Sequence, residues 1–125
     1  DQLEKIDQPD TRVIVNPGGN NQRFVDANIK TANVTIHADN RTIFKEIEQN
    51  NADVMITDAI EVALQTNLLP GLCATMPGVT LTHQEKGFLL PRDIIWKQYV
   101  DTWLAQRTAE GEVAKLFTQF LAPSS

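Results

Sequence analysis

Apolar and polar positions alternate along the first half of the chain in a pattern that predicts three strand–helix pairs. Each pair begins with a short apolar run and continues with apolar residues at helical spacing. The predicted strands are residues 12–16, 33–37 and 54–56, and the predicted helices are residues 20–30, about 40–50 and 57–66. Regular alternation of strands and helices favours a parallel sheet, so the expected fold class is α/β with an open, doubly wound sheet.

Two features of these pairs add detail. Asp39 or Asn40 precedes the second helix, and both residue types cap helix N-termini well, so one of them is expected to be the N-cap. Residues 54–56 are a continuous apolar run, Val-Met-Ile, which is typical of a strand buried on both faces.

The second half of the chain follows a different pattern. Pro-Gly pairs at 70–71 and 77–78 signal turns, and residues 72–75 and 87–90 are predicted to be short strands. Two amphipathic helices follow, with Gly111 at the break between them. Their apolar positions are Trp96, Tyr99, Val100, Trp103 and Leu104 in the first helix and Val113, Leu116, Phe117, Phe120 and Leu121 in the second. The aromatic stripe is expected to be core, with a contact surface for a part of the protein outside this chain as the alternative.

Composition narrows the classes of function. The 125 residues are 42% hydrophobic and 22% charged, as in a single folded globular domain. The net charge is −5 and no basic residues cluster, so nucleic acid is not an expected partner. No apolar run approaches the ~20 residues that span a bilayer. The polar start, Asp-Gln-Leu-Glu-Lys, is not a signal peptide and reads as a mature or trimmed N-terminus.

Cysteine and histidine do not indicate a metal site. Cys73 is the only cysteine, which excludes an internal disulfide and a cysteine-based metal site. It is expected to be a small buried hydrophobe, and the alternative is a thiol whose partner lies outside this chain. His37 and His83 are isolated from each other and from Cys73, so no metal ligands are assigned.

The first candidate site is the glycine turn, residues 17–19, between the first strand and its helix. The first-turn N–H groups of a helix have no partners inside the helix and attract anions. Ligands of open α/β sheets bind at the carboxyl ends of strands, where this turn lies. Asn16, Asn20 and Asn21 add amide groups that suit a small polar ligand. The turn lacks the spacing of a phosphate loop or a dinucleotide fingerprint, and it could also be only a turn.

The second candidate site, residues 57–61, follows the third strand and should lie on the same edge of the sheet. Asp58 is a natural N-cap, and Glu61 completes the spacing of a capping box, so a purely structural role is one interpretation. In the functional interpretation, Asp58 binds an ammonium group or orients the site, and Glu61 faces a ligand. A carboxyl group closed away from water favours its neutral form and can act as a general acid.

Five segments carry a family resemblance, which runs in order along nearly the whole chain. Residues 6–9, 13–19, 52–61, 72–74 and 85–93 resemble the cyclohexadienyl dehydratases, periplasmic enzymes with the type 2 solute-binding-protein fold of ABC transporters. That resemblance implies two lobes with a ligand cleft between them. It identifies residues 1–10 as a lead-in, 11–85 as lobe 2, and 86–125 as a strand and helices that return to lobe 1.

The resemblance also implies what lies outside this chain. The N-terminal lobe 1 would form the other wall of the cleft and supply an arginine for a ligand carboxylate. Cys73 would pair with a cysteine upstream of the residues present here. Without lobe 1, the C-terminal helices are expected to mediate self-association, with exchange of this tail between chains as one route.

The chemistry implied by the resemblance needs no cofactor. Prephenate would lose water and carbon dioxide to give phenylpyruvate, and arogenate would give phenylalanine. Glu61 matches the catalytic acid, while Asn16, Gly19, Asn20 and Asn21 match positions that bind substrate carboxylates. Asp58 matches the acid that meets an amino group in amino-acid-binding relatives.

One departure keeps a second function open. Where the family usually has Gly-Gly-Thr-Asn, Asn20 replaces the threonine and its hydroxyl donor. The alternative function is therefore an amino-acid-binding lobe of an ABC-transporter solute-binding protein, with the transporter permease as partner. Glu61 favours the enzyme, because a simple receptor needs no acid beside Asp58. This chain alone is expected to have negligible activity, because it would form only one of the two walls of the cleft.

Overall fold

The structure, a computed structural model, describes residues 2–121 and forms two compact units that divide between Val79 and Thr80. The first unit contains three parallel strands and four helices. In chain order these are α1 (Gln2–Ile6), β1 (Arg12–Val15), α2 (Gly19–Asn28), β2 (Asn33–Ile36), α3 (Ile43–Glu48), β3 (Val54–Met55) and α4 (Ala59–Leu68). The three predicted strand–helix pairs are all present, and the α/β fold class is confirmed.

β1 is the central strand of the sheet, whose order is β2-β1-β3. Successive side chains of a strand point to opposite faces, and β1 is apolar on both. On one face, Val13 and Val15 pack with Val25 of α2. On the other, Ile14 packs with Ile43 and Phe44 of α3. The continuous apolar run of β1 thus explains why helices cover both faces, which is the doubly wound arrangement.

A salt bridge closes the amino-terminal edge of the sheet. The guanidinium Nη2 of Arg12 lies 2.6 Å from Oδ1 of Asp53, and Nε donates to Oδ2 at 3.1 Å. The backbone N–H of Arg12 also donates to Oδ2, at 2.7 Å. Arg12 reaches further to the carbonyl oxygen of Asn50 at 2.8 Å. These bonds tie the start of β1 to the loop that leads into β3.

Asp7 connects the segment that contains α1 to the loop between α2 and β2. Its carboxylate accepts hydrogen bonds from the backbone N–H groups of Lys30, Thr31 and Ala32, at 2.9, 2.7 and 2.8 Å. These three donors hold the pKa of Asp7 below its usual value. Residues 2–9 are therefore anchored to the α/β unit, a role that the sequence analysis did not assign to Asp7.

The second unit contains the two predicted C-terminal helices, α5 (Ile94–Ala109) and α6 (Glu112–Leu121), which pack against each other. Asp93 caps α5 through hydrogen bonds from the backbone N–H groups of Ile95 and Trp96, at 2.9 and 3.1 Å. Gly111 separates the helices, as predicted. No helix among residues 2–121 combines the length and the hydropathy that a membrane span requires.

The aromatic stripe of α5 is exposed, so its interpretation as core is wrong for this chain. Trp96 and Trp103 are each 46% exposed and Tyr99 is 65% exposed. The rings of Trp96 and Tyr99 stack on each other with centroids 5.6 Å apart. α5 has 16 residues and α6 has 10, so the shorter helix does not cover the longer one's apolar face.

Cys73 is also exposed, which overturns its interpretation as a buried hydrophobe. It lies in the irregular segment after α4, where its neighbour Leu72 packs against the core face that contains Ile14 and Ile43. Leu72 is thus the residue that attaches this segment to the core, and the adjacent Cys73 side chain is exposed to solvent.

Two predicted strands, residues 72–75 and 87–90, are irregular. A strand needs a neighbour for its backbone hydrogen bonds, and within residues 2–121 neither segment pairs with one. β3 is shorter than predicted and only half-buried, because it pairs with β1 alone in the described sheet.

The N-cap of α3 is Thr42 rather than Asp39 or Asn40. The Asp39 carboxylate accepts from the N–H of Arg41 at 2.8 Å, and its carbonyl oxygen accepts from the N–H groups of Thr42 and Ile43. Asp39 therefore forms a turn first, and the helix begins at Ile43, later than predicted.

Candidate ligand-binding and catalytic site

The two candidate segments lie side by side at the carboxyl edge of the sheet. β1 leads through Asn16 into the glycine turn, and β3 leads into residues 57–61. β1 and β3 are adjacent and parallel, with Ile14 opposite Met55, so the two strand–helix junctions are neighbours. The prediction that both segments share one edge is confirmed, and both belong to the first unit.

The glycine turn has a backbone that favours glycine at two successive positions. Gly18 and Gly19 have φ angles of 73° and 70°, in the left-handed region that strains other residues. The N–H of Gly18 donates to Oε1 of Gln22 at 2.5 Å. Gly18 is the N-cap of α2 and provides no side chain to cap it, and no acidic residue lies in its first turn. The positive end of α2 is therefore not neutralised by its own sequence.

The asparagines of this segment are placed differently from one another. Asn20 is exposed, and its Oδ1 lies 3.5 Å from Nη1 of Arg23. Asn16 is half-buried, and its Oδ1 is buried without a hydrogen-bond partner in the described chain. A buried carbonyl oxygen without a donor costs free energy, so a ligand donor or a water molecule at Asn16 would be favourable.

Asn21, Thr57 and Glu61 form the chemical centre of the site. The hydroxyl of Thr57 donates to Oε2 of Glu61 at 2.8 Å. Nδ2 of Asn21 lies 3.5 Å from the same hydroxyl oxygen, at the long limit of a hydrogen bond. All three residues are half-buried. This contact joins α2 to the β3–α4 junction and brings two of the predicted site residues together.

Asp58 is the N-cap of α4, as predicted, but its side chain makes no capping hydrogen bond. The side-chain half of the predicted capping box is therefore not formed. Glu61 lies in the first turn of α4, where a carboxylate also interacts favourably with the helix dipole. Its side chain bonds to Thr57, one residue before the cap.

Thr57 is the residue that sequence reasoning missed. It lies in the candidate segment 57–61 but was assigned no role, although its position four residues before Glu61 was a usable signal. Within residues 2–121, no group of three or more His, Cys, Asp and Glu side chains has a geometry suited to a metal ion.

Comparisons with known proteins show what the chain as a whole is similar to. The chain is 53% identical over 102 residues to a cyclohexadienyl dehydratase from Pseudomonas aeruginosa PAO1. It resembles the crystal structure of an ancestral cyclohexadienyl dehydratase with a TM-score of 0.61, at 41% identity over 95% of this chain. It also resembles an ancestral amino-acid-binding protein, a precursor of cyclohexadienyl dehydratase, with a TM-score of 0.74 at 24% identity, which shows the fold alone. No protein-family profile matches the chain.

These matches cover most of this chain but only part of each relative. The aligned region is 82% of this chain and 38% of the Pseudomonas protein. The two structural matches cover 50% and 49% of the respective relatives. The chain thus has the fold of part of an amino-acid-binding protein and is similar, over most of its length, to part of a cyclohexadienyl dehydratase.

Proposed function

We propose that this chain is the C-terminal part of a periplasmic cyclohexadienyl dehydratase that converts prephenate to phenylpyruvate and arogenate to phenylalanine. The observation that carries the proposal is the position of Glu61. Its carboxyl group is held by Thr57 on the same sheet edge as the glycine turn, in a chain 53% identical to a protein with that name.

The glycine turn would bind the substrate's carboxylates. The first-turn N–H groups of α2 carry partial positive charge, and its first turn contains no acidic residue. Asn16, Asn20 and Asn21 surround that helix end with amide groups, and Gly19 lets a ligand approach the backbone closely. A dianionic substrate therefore suits this edge better than a cation would.

Glu61 would act as the general acid. It donates a proton to the ring hydroxyl of the substrate, which leaves as water. The bond between the ring and its carboxylate then breaks, carbon dioxide departs, and the released electron pair completes the aromatic ring. The electrons are rearranged within the substrate, so the step needs neither an oxidant nor a reductant.

A complete cleft would require the part of the protein outside this chain. We assign residues 11–85 to the second lobe, residues 86–125 to the segment that returns to the first lobe, and residues 1–10 to a lead-in. The exposed thiol of Cys73 is available for a disulfide with a cysteine in the missing part. This chain alone is expected to have negligible activity.

The test is phenylpyruvate formation from prephenate by the full-length protein that contains this chain. Glu61→Gln removes the proton donor and keeps the shape, so kcat should fall by about 10²–10⁴-fold. Glu48→Gln is the matched control, because Glu48 is exposed at the end of α3 and should leave kcat unchanged. Absence of turnover by the unsubstituted protein would contradict the proposal.

A second candidate function is binding of an amino acid for an ABC-transporter permease. The observation that favours it is the position of Asp58, the N-cap residue of α4, which places a negative charge for a ligand ammonium group on the same sheet edge as the glycine turn. Calorimetry on the same full-length protein separates the two functions. Micromolar binding of an amino acid without prephenate turnover would favour the receptor.

A further inference from the structure

The Thr57 hydroxyl bonds to a side chain, in contrast to the hydroxyls of three threonines inside the helices. The hydroxyls of Thr66, Thr108 and Thr118 each bond to the backbone carbonyl oxygen four residues earlier, at 2.7–3.0 Å. Such bonds are local and serve the helix itself. Thr57 instead donates to the side chain of Glu61 at 2.8 Å.

The direction of this hydrogen bond follows from the number of protons available. A hydroxyl has one proton to donate and two lone pairs, whereas an amide nitrogen such as Nδ2 of Asn21 only donates. Asn21 therefore donates to Thr57, at the long distance of 3.5 Å, and the single Thr57 proton is directed to Oε2 of Glu61.

This arrangement makes the two oxygens of Glu61 inequivalent. A proton on Oε2 would compete with the proton of Thr57 for the same space. A protonated Glu61 that keeps this hydrogen bond therefore carries its proton on Oε1, which accepts no hydrogen bond from the described residues.

We propose that Thr57 is a positioning residue for Glu61, which fixes the rotamer of the carboxyl group and directs its acidic proton to Oε1. The inference rests on the proposed function, in which Glu61 is the general acid. A carboxyl group that rotates freely would offer its proton in the productive direction for only part of the time, so loss of Thr57 should lower kcat rather than weaken substrate binding.

The kinetic test uses the full-length protein with prephenate and three variants. Thr57→Val removes the hydroxyl and keeps the β-branched shape, and kcat should fall by about tenfold or more while KM changes less than about threefold. Thr57→Ser keeps the hydroxyl and should restore most of kcat. Thr66→Val is the matched control, because Thr66 is a half-buried threonine of α4 whose hydroxyl bonds only to the backbone.

A second measurement does not depend on turnover. In this chain, three-bond proton couplings of Glu61 report its χ1 rotamer by NMR. A single rotamer is expected in the unsubstituted chain and in Thr57→Ser, and averaging between rotamers in Thr57→Val.

The outcomes separate the two proposals. A Thr57→Val protein with unchanged kcat, or unchanged Glu61 couplings in the chain, would overturn the role of Thr57 and leave the dehydratase proposal intact. A full-length protein without turnover, but with couplings that change in Thr57→Val, would overturn the function and the catalytic consequence while keeping the contact.

Discussion

At the scale of single residues, the Arg12–Asp53 pair makes the stability of the chain depend on pH. Hydrogen bonds from the Arg12 side chain, and then from its backbone N–H, lower the pKa of Asp53 to about 2. The pKa in the folded chain is below the value of 3.8 for an unperturbed Asp. The pair therefore stabilises the fold above about pH 4, and this contribution is lost as the pH falls through 2.

The expected size of that effect is modest. A fully buried pair with this pKa shift would contribute about 2.5 kcal/mol. The Asp53 side chain is 39% exposed, and solvent screening reduces the contribution to about 1 kcal/mol or less. Asp53→Asn should lower the free energy of unfolding by that amount at pH 7 and by much less at pH 2, measured by urea denaturation.

Asp7 also makes the stability of the chain depend on pH, so its contribution must be separated from that of the Arg12–Asp53 pair. Its pKa is also lowered, by backbone donors, so it contributes to acid sensitivity in the same chain and remains in the Asp53→Asn variant. The difference between the two chains, rather than the slope of either, reports the salt bridge. An equal difference at pH 7 and pH 2 would contradict the assignment.

At the scale of elements, the Asp7 contacts predict how the segment containing α1 is held. Asp7→Ala removes the acceptor for the N–H groups of Lys30, Thr31 and Ala32. Amide hydrogen exchange at these residues should become at least about tenfold faster. Asp10→Ala is the matched control, since Asp10 is an exposed carboxylate in the same segment. Unchanged exchange in Asp7→Ala would mean that the loop is ordered without it.

The cap of α5 gives a second prediction at this scale. Asp93→Ala removes the acceptor of the N–H groups of Ile95 and Trp96, which should destabilise α5 by about 1 kcal/mol. Faster amide exchange at residues 95 and 96 is the measurement. Asp93→Asn keeps a side-chain oxygen acceptor and should behave much like the unsubstituted chain, whereas equal effects of Ala and Asn would indicate that charge matters more than the hydrogen bond.

Elements whose signal is local could be predicted from the sequence. β1 and α2 lie within a few residues of their predicted bounds, and α5 and α6 contain the apolar positions from which two helices were predicted. Segments 72–75 and 87–90 have the composition of strands, but a strand forms only beside a partner, and composition does not supply one. The cap of α3 was misplaced because Asp39 can satisfy either a helix or a turn.

The candidate site could be predicted in part for the same reason. The glycine turn and Glu61 were found because strand–helix junctions of a parallel sheet meet at one edge. Thr57 was missed because its spacing of four residues to Glu61, although a usable signal, does not by itself establish that the hydroxyl bonds to the Glu61 carboxylate. Asp7 and the Arg12–Asp53 pair were missed because their partners are 23 or more residues away in the sequence.

At the scale of the whole molecule, the two C-terminal helices expose several large apolar side chains. The exposed side chains include Trp96, Tyr99, Trp103, Phe117 and Phe120. Exposed apolar side chains in such number are typical of a surface that is covered by another chain or by another part of the same protein. The chain spans about half the length of its structural relatives. The surface could therefore contact either another chain or the remaining part of the same protein.

We therefore expect this chain to self-associate through α5 and α6. Sedimentation velocity over concentrations of about 5–500 μM should show a species larger than the monomer that grows with concentration. Tyr99→Lys combined with Phe120→Lys should restore the monomer, since these two side chains are 65% and 67% exposed and can be replaced without opening the contact between the helices. Thr102→Lys combined with Gln119→Lys adds the same two charges at exposed polar positions of α5 and α6 and is the control.

Measurements on the full-length protein distinguish two roles of the exposed surface on α5 and α6: packing against the rest of the same protein, or contact between copies. If its remaining part packs on α5 and α6, the full-length protein should stay monomeric at the concentrations at which this chain associates, and the Tyr99→Lys and Phe120→Lys pair should lower its thermal stability. If both proteins associate to the same extent, the surface is an interface between copies. A chain that remains monomeric throughout the concentration range would contradict self-association, because its exposed aromatic side chains would then be stable in water without a partner.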